Sequence, residues 1–543
     1  MNLNMKNNIL KPLLFAGVII SIISGGCTKK LDLTPTNDIT ADQVYSTPAG
    51  YKDALAKIYL SMAMPGNVGN NSGGGWGGSP DIPAQILSDE GNTDFFRGLW
   101  YLQCLSTDEA GWTYHSNTDP LGIHQMTWSS INQTVAGAYY RSFFQITLIN
   151  DFIRQSSDAN LSSRGITGAD ADNVHHYVAE ARFLRAYQYW LLMDLFANPP
   201  FVTENDPIGV GLPKQIQRAD LFKYIDSELV AIQPDLLAPH ANEYGRVDQA
   251  ADWALLSRLY LNAEVYSGTP RYTDAITYCK KIIDAGYTLH PDYKELMLAD
   301  NNLNTDEFIL TIPYDGTHTQ TYGGTTLMVH GPAGIPGSIS GTSGTWNCIR
   351  MTQQFVGLFE PGDDRGQFYT SGQSLAMTSL LDVSTDGYSS SKYRNVTRTG
   401  APAPDADPQG NFSDVDFPLF RLGEIYLTYA EAVLRGGEGG DKATALGYIN
   451  QLRQRAYGNT SGNVTNSDLT LDFILSERGR ELFWECSRRT DLIRYNEFTT
   501  GNYLWAWKGG VQSGTAVDSK YNIYPIPSTD LSSNPNLKQN PGY

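Results

Sequence analysis

The chain has 543 residues, of which 57 are acidic and 39 are lysine or arginine, giving a formal net charge of −18 at pH 7. A chain this acidic lacks the positive surface that attracts nucleic acid or an anionic lipid headgroup, so both are disfavoured as partners. A neutral or cationic ligand is favoured instead. Apolar residues make up 41% of the sequence, enough for a large core, and the length exceeds that of an ordinary single domain.

The beginning of the chain has the pattern of an export signal. Lys6 and Lys11 precede an uncharged apolar stretch over residues 12–23, and small residues then lead directly to Cys27. The stretch is short for a transmembrane helix, so we predict a signal peptide over 1–26.

A cysteine directly after small residues is typical of a bacterial lipobox. This pattern predicts lipidation of Cys27, followed by a polar, flexible tether over 27–40. A lipobox usually carries leucine where this chain has Ser24, so secretion without a lipid anchor remains the alternative.

Helical periodicity dominates the chain after the tether. Apolar residues recur every three to four positions in long stretches that end at glycine or proline. The predicted helices cover residues 41–61, 131–156, 172–197, 220–237, 249–264, 272–285, 419–435, 442–457 and 467–485.

Some of these helices form consecutive pairs. Helices 249–264 and 272–285 are joined by a turn containing glycine and proline, and 419–435 and 442–457 by a glycine-rich turn. Pairs of this size are similar to the tetratricopeptide helix–turn–helix repeat, which has a period of about 34 residues. The sequence therefore predicts a mostly α-helical fold built on a tetratricopeptide-like scaffold of helix pairs.

Two long segments of different composition interrupt the helices, and we call them the first excursion (residues 66–128) and the second excursion (315–409). Both combine glycine and small polar residues with scattered aromatics, and long irregular segments in a packed protein are usually functional or mobile. We expect residues 41–543 to form a single unit. Its helical scaffold would lie mainly at 41–61, 131–300 and 419–495.

Signatures of catalysis and of metal binding are weak. The sequence contains no GxSxG, HExxH, P-loop or dinucleotide fingerprint, and its histidines are few and scattered. The cysteines after Cys27 lack CxxC spacing, which disfavours a zinc site and favours small buried apolar groups, although their pairing stays open. They are Cys104, Cys279, Cys348 and Cys486.

One group of acids could suggest a glycosidase. Glu477, Glu481 and Glu485 lie at helical spacing, and paired carboxylates carry out glycoside hydrolysis. Each of them also has an arginine at helical pairing distance. We therefore favour a charged helix face with i,i+3 and i,i+4 ion pairs, and we expect no enzymatic activity.

Aromatic residues in the excursions suggest a different function. An aromatic ring can cover the apolar C–H face of a sugar, while Asp, Asn and Arg side chains hydrogen-bond its hydroxyl rim. The first excursion supplies both kinds of group: Asp89, Arg97, Trp112, Tyr114 and Asn117. Taken one at a time, these aromatics are explained as well by core packing under long loops.

The second excursion repeats the combination. It contains Tyr322, followed by Gly323 and Gly324, and then Trp346. Because glycine has no side chain, these two glycines would let the backbone approach a ligand closely.

Segments along nearly the whole chain resemble one family. They are LDLTPTNDITADQVYSTPAGYKDAL, AEARFLRAYQYWLLMDLFANPPF, GRVDQAADWALLSRLYLNAEVY, FPLFRLGEIYLTYAEAVLRGG, ILSERGRELFWECSRRTDLIRY and YNIYPIPSTDLSSNPNLKQNPGY. On this ordered set the chain resembles the SusD-like (RagB/SusD) family of Bacteroidetes outer-membrane nutrient-uptake lipoproteins. Its loops are most similar to those of the starch-binding founder of the family, in the runs SDEGNTDFFRG, STDEAGWTYHSN, DGTHTQTYGGTT, GTWNC and FTTGNYLWAWKGG.

The resemblance implies a set of glycan-binding residues. In the founder, an arc of aromatic rings follows the curve of an α-1,4-glucan helix, with polar groups beside it. Tyr114 stands where the founder has tryptophan, which implies a smaller stacking surface, and the segment after Trp346 is shorter. The implied arc is Trp112, Tyr114, Tyr322 and Trp346, with Asp89, Arg97 and Asn117 as polar contacts.

The resemblance also implies a cellular role without catalysis. Members of the family cover a SusC-like TonB-dependent β-barrel on the outside of the outer membrane. This chain would capture starch or malto-oligosaccharides at the cell surface and pass them to such a transporter. Calcium is seen in some relatives. The Asp300-Asn301-Asn302 stretch of this chain supplies oxygen ligands of the kind that calcium prefers, but it does not resemble an EF-hand loop.

Three alternatives stay open. Tyr114 motivates the same family role with another glycan, a glycopeptide or a peptide as ligand. A tetratricopeptide-type assembly protein without a small ligand would bury the loop aromatics. A hydrolase is the least favoured of the three.

Overall fold

The computed structural model describes residues 40–67, 79–83, 86–87, 90–380 and 385–543. The predicted signal peptide, Cys27, the tether before Thr40 and Asp89 lie outside these residues.

Long helices form most of the regular structure, which confirms the predicted mostly α-helical class. We label those of twelve or more residues α1 to α9 in chain order. They are α1 (Pro48–Ala63), α2 (Gln133–Gln155), α3 (Ala169–Phe196), α4 (Arg218–Ile232), α5 (Gln249–Leu261), α6 (Tyr272–Asp284), α7 (Leu422–Leu434), α8 (Lys442–Tyr457) and α9 (Leu471–Leu482).

Shorter elements fill the segments between these helices. The short α-helices are Ala41–Val44, Glu90–Thr93, Phe95–Trp100, Thr118–His124, Asp158–Ser163, Ala263–Ser267, Thr326–His330, Gly337–Ser340, Gln353–Val356, Arg488–Arg494 and Ser528–Ser533, with a π-helical turn at Tyr101–Leu105. Single 3₁₀ turns lie at Gln233–Asp235, Tyr293–Glu295, Asn301–Leu303, Thr460–Gly462, Lys508–Gly510 and Ser519–Asn522.

The β-structure consists of antiparallel pairs of strands. The pairs are Gly66–Asn67 with Ser79–Pro80, Gly111–Trp112 with Ile349–Arg350, Pro200–Phe201 with Lys214–Gln215, Phe308–Ile312 with Phe417–Arg421, and Phe368–Tyr369 with Ser389–Ser390. The pair Phe308–Ile312 and Phe417–Arg421 is the longest of these ladders, and all of its residues are buried.

Side-chain caps determine where the scaffold helices begin. The Asp248 carboxylate accepts a hydrogen bond from the backbone N–H of Ala251 at the start of α5. Asp441 caps α8 in the same way, and the Thr470 hydroxyl caps α9. Each cap satisfies a backbone donor that the first helical turn leaves without a partner.

The scaffold helices pack as consecutive neighbours. Helix α5 packs against α6, α6 against α7, and α7 against both α8 and α9. Apolar side chains from these helices join one continuous core that also contains Trp100, Trp484 and Trp505. The two predicted helix pairs are therefore confirmed.

Three predicted helices differ from those observed. The helix predicted over 41–61 is divided into Ala41–Val44 and Pro48–Ala63. Residues 419–421 belong to a strand rather than to the predicted helix, because Phe417–Arg421 pairs with Phe308–Ile312, and α7 begins only at Leu422. The helix predicted over 467–485 ends at Leu482, since Phe483 is extended and Trp484 and Cys486 have positive φ angles.

The ion pairs of Glu477, Glu481 and Glu485 are less local than predicted. Glu477 and Glu481 are fully buried, and Glu485 is nearly so. The local pair of Glu477 with Arg480 is present, but most partners come from distant segments. These partners are Arg365, Lys392, Arg421, Arg453 and Arg455.

Opposite charges keep these buried carboxylates ionised. Burial alone would raise the pKa of Glu477, but the guanidinium groups of Arg365, Arg480 and Arg453 lower it to about 2. The pKa of Glu481 is lowered as well, by Arg455, Arg421 and Arg365 against the effect of burial. A permanently ionised and enclosed carboxylate is unsuited to general acid catalysis, so this group of acids is structural.

The described cysteines are all buried free thiols, in agreement with their expected role as small apolar groups. Among the described residues, no helix combines the length and the hydropathy that crossing a bilayer requires.

Replacing Arg421 by methionine should strongly destabilise the fold. The substitution removes the cation that pairs with all three buried carboxylates of Glu307, Glu481 and Glu485. We expect the free energy of unfolding to fall by about 3–5 kcal/mol, measured by urea denaturation.

The matched control for this prediction is Lys223→Met. Lys223 forms an exposed ion pair with Asp220, so its loss should change the free energy of unfolding by less than about 1 kcal/mol. Equal effects of the two variants would contradict the structural role assigned to the buried charges.

Candidate functional site

A short strand pair joins the two excursions at the site. Trp112 lies opposite Ile349 in this pair. The Thr113 N–H donates to the carbonyl of Cys348 at 3.0 Å, and the Thr113 hydroxyl donates to the carbonyl of Asn347 at 3.2 Å. The segment after Trp112 therefore runs beside the segment after Trp346, although 234 residues separate Thr113 from Asn347.

Trp112 itself is buried. Its side chain is 2% exposed and packs edge-on against Tyr101, with ring centroids 5.6 Å apart. Its indole N–H donates to the carbonyl of Tyr114 at 2.9 Å. A ring so enclosed offers almost no face to a sugar, so a direct stacking role for Trp112 disagrees with this conformation. Its indole supports the turn that carries Tyr114.

Tyr114 and Asn117 lie together at the surface. Tyr114 is 53% exposed, and its carbonyl also accepts a hydrogen bond from the Asn117 N–H at 3.1 Å. Asn117 precedes the helix Thr118–His124, yet its side chain makes no capping bond to that helix. The backbone of this turn therefore brings Tyr114 and Asn117 close together.

Arg97 connects the first excursion to Tyr322. Its guanidinium donates from Nε to the Tyr101 hydroxyl at 3.0 Å and from Nη1 to the Tyr322 carbonyl at 3.3 Å. The guanidinium also lies 5.4 Å from the centre of the Tyr101 ring, within cation–π range. These contacts fix Arg97 beside the residue that carries the next aromatic ring.

Three half-buried rings of Tyr322, Trp346 and Phe412 form what we call the aromatic cluster. The Tyr322 and Trp346 centroids are 6.2 Å apart, and those of Tyr322 and Phe412 are 5.3 Å apart. Phe412 was missed by sequence reasoning. It lies just beyond the predicted end of the second excursion, and the only signal in the sequence is an aromatic residue after a Gly-Asn turn.

The residues around Trp346 fix the orientation of its ring. The buried imidazole of His330 stacks beneath the indole, with centroids 5.0 Å apart and planes 13° apart. His330 Nδ1 donates to the Gly344 carbonyl at 2.6 Å, and burial lowers the pKa of this histidine. Asn347 then takes a left-handed conformation at φ 57°, which asparagine tolerates better than most residues.

Gly323 and Gly324 have a different purpose from the predicted one. A Cβ on Gly323 would lie 2.0 Å from Cγ of Asp94, and one on Gly324 would lie 2.4 Å from the Tyr314 ring. The Asp94 carboxylate accepts the Gly324 N–H at 3.0 Å and also caps the helix that carries Arg97. These glycines therefore admit Asp94 and Tyr314 rather than a ligand.

The stretch considered for calcium is occupied by protein contacts. The Asp300 carboxylate pairs with Arg398 at 2.9 Å, and the Asn301 amide donates to the carbonyls of Leu296 and Asp416. No cluster of His, Cys, Asp and Glu side chains suited to a metal occurs within the described residues.

Comparison with known proteins identifies the family. The chain is 36% identical to the starch-binding protein SusD of Bacteroides thetaiotaomicron, over 99% of this chain and 100% of that protein. The chain belongs to the SusD family. A model of that family also matches residues 364–543.

Solved structures support the fold assignment. A SusD homologue from Bacteroides thetaiotaomicron superposes with a TM-score of 0.70 at 18% identity, covering 93% of this chain and 99% of its own. Surface glycan-binding protein A from the same organism, in complex with laminarihexaose, superposes with a TM-score of 0.68 at 19% identity. The match covers 91% of this chain and 99% of that protein's chain. Membership of the SusD family makes the chain a binding protein rather than an enzyme.

Replacing Gly323 by alanine should disturb the anchor of Tyr322. The added methyl group would overlap the Asp94 carboxylate, so we expect a loss of about 1–3 kcal/mol in the free energy of unfolding. Gly447→Ala in α8 is the matched control, because a Cβ there meets no atom within 4 Å. Because alanine has a higher helix propensity than glycine, this control should be neutral or stabilising. If the Gly323→Ala protein were as stable as the control, the close contact between Gly323 and Asp94 would be refuted.

Proposed function

We propose that this SusD-family protein binds starch-type oligosaccharides on the aromatic cluster. The observation that carries the proposal is the convergence of Tyr322 and Trp346 as partly exposed rings, on a chain 36% identical to a starch-binding protein. Tyr322 and Trp346 stack on glucose rings, with Tyr114 beside them. Arg97 and Asn117 hydrogen-bond hydroxyl groups, and Asp89 is proposed for the same role.

The rigidity of the site supports selection by shape. The Trp346 ring lies on His330, Tyr322 is held through Gly323 and Gly324 against Asp94, and the two excursions are joined by a strand pair. Such a platform loses little conformational entropy on binding. It therefore favours a curved α-glucan over a straight β-glucan.

The proposed setting is the cell surface. Lipidation of Cys27 anchors the protein in the outer membrane, and a SusC-like TonB-dependent β-barrel receives the captured oligosaccharide. The helical scaffold provides the surface that faces this barrel. Calcium binding at the Asp300-Asn301-Asn302 stretch would require the Asp300 carboxylate to leave its ion pair with Arg398.

A different glycan or a peptide is the second candidate ligand. A structurally similar protein was solved with laminarihexaose, and Tyr114 narrows the stacking surface in this chain. The assembly-protein alternative is weaker, because Tyr114 is exposed and Tyr322 and Trp346 are only half-buried, although Trp112 is buried as that alternative predicts.

Replacing Trp346 by alanine should weaken binding of a cyclic α-1,4-glucan by roughly tenfold or more, since a stacked ring is lost. Calorimetric titration of a soluble form lacking residues 1–27 measures this affinity. Parallel titrations with laminari- and cello-oligosaccharides test the selection by shape.

The matched control is Trp253→Ala. Trp253 is likewise half-buried but lies on α5, in the scaffold, so its removal should leave glucan affinity unchanged. No binding of any α-glucan by the parent protein, or equal affinity for curved and straight glucans, would contradict the proposed function.

A further inference from the structure

The aromatic cluster contains one ring, Phe412, that the family resemblance does not imply. Tyr322 contacts both Trp346 and Phe412, and the described residues show no direct ring contact between those two. Tyr322 is therefore the middle ring of a row, with Phe412 at one end. Phe412 as a residue is half-buried.

A turn stabilised by hydrogen bonds to the Asp407 side chain positions Phe412. The buried carboxylate of Asp407 accepts the Gln409 N–H at 3.2 Å and the Asn411 N–H at 2.7 Å. Gly410 has a φ of 68°, which a residue with a side chain would adopt only under strain. The conformation of this turn is thus fixed by contacts within it.

Hydrogen bonds with neighbouring segments attach this turn to the rest of the site. The Ser343 N–H donates to the Gly410 carbonyl at 2.9 Å, which joins the turn to the segment leading to Trp346. The Asn395 amide donates to the Phe412 carbonyl at 3.3 Å, and the Ser413 N–H donates to the Thr326 hydroxyl at 3.1 Å. The backbone on both sides of Phe412 is therefore tied to the loops that carry the other two rings.

We propose that Phe412 is a specificity-determining residue that provides a third stacking surface and sets the preferred length of the bound oligosaccharide. The inference rests on the proposed function and deepens it. A short oligosaccharide fills the surface of Trp346 and Tyr322, and only a longer one reaches Phe412. The affinity for longer chains then depends on Phe412, whereas the affinity for the shortest does not.

The test is a length series from maltose to maltoheptaose, titrated by calorimetry against the parent protein and Phe412→Ala. We expect affinity in the parent to rise along the series. In Phe412→Ala the affinity for maltose should match that of the parent, and the affinity for maltoheptaose should fall by roughly three- to tenfold. Phe412→Trp should restore the dependence on length, because a flat ring is what the site requires.

The matched control is Phe368→Ala. Phe368 is a half-buried phenylalanine of the second excursion, but it packs against Phe359 and Phe483. This variant should keep the length dependence of the parent. Thermal unfolding of each variant checks that the fold is intact.

Two results would overturn the inference while leaving the proposed function in place. An equal loss of affinity at every length would reduce Phe412 to a support for Tyr322, and an unchanged length series would remove it from the site. Failure of the parent to bind any member of the series is a distinct result, because it would refute the proposed function and the role of Phe412 together.

Discussion

Buried ion pairs between α9 and distant segments hold this fold together. The Arg421 guanidinium lies between Glu307, Glu481 and Glu485 at 2.7–2.8 Å, and all four side chains are almost completely excluded from solvent. Removing charges from water is costly, so such a network is stable only when each charge keeps its partners. We infer that this network specifies how α9 and the distant segments pack together, since few other arrangements would give every buried charge an opposite partner.

The same network connects the scaffold to the site. Arg365 and Lys392 belong to the second excursion, and their partners Glu477, Glu481 and Glu485 belong to α9 and its C-terminal end. Together with the strand pair that joins the two excursions, these ion pairs leave the loops around Tyr322, Trp346 and Phe412 little freedom relative to the helices. Long irregular segments thereby become a rigid platform, which is what recognition of a ligand by its shape requires.

Much of the scaffold could be predicted from the sequence, because helical periodicity and caps are local signals. Residues 419–421 were predicted as helix because their strand partner, Phe308–Ile312, lies more than a hundred positions earlier. Glu477, Glu481 and Glu485 were assigned local ion pairs for a similar reason, since most of their basic partners are far away in the sequence. Local patterns show which residues are charged but not which are buried.

The combination of loop aromatics with polar groups drew attention to the two excursions, and family resemblance selected residues within them. The Arg97 guanidinium contacts the Tyr322 carbonyl and the Tyr322 ring contacts Trp346. The burial of Trp112 against Tyr101, by contrast, is a tertiary contact with no local signature. Gly323 and Gly324 were correctly singled out, but their neighbours proved to be Asp94 and Tyr314. Phe412 reaches Tyr322 through a turn that the sequence did not associate with it.

The most direct test of the account is a crystal structure of the protein with a cyclic α-1,4-glucan. The account predicts glucose rings stacked on Tyr322 and Trp346, with the glucan following the row of rings. Glucan bound elsewhere would contradict it, for instance in the apolar groove of about 310 Å³ lined by Leu55, Tyr244 and Pro313.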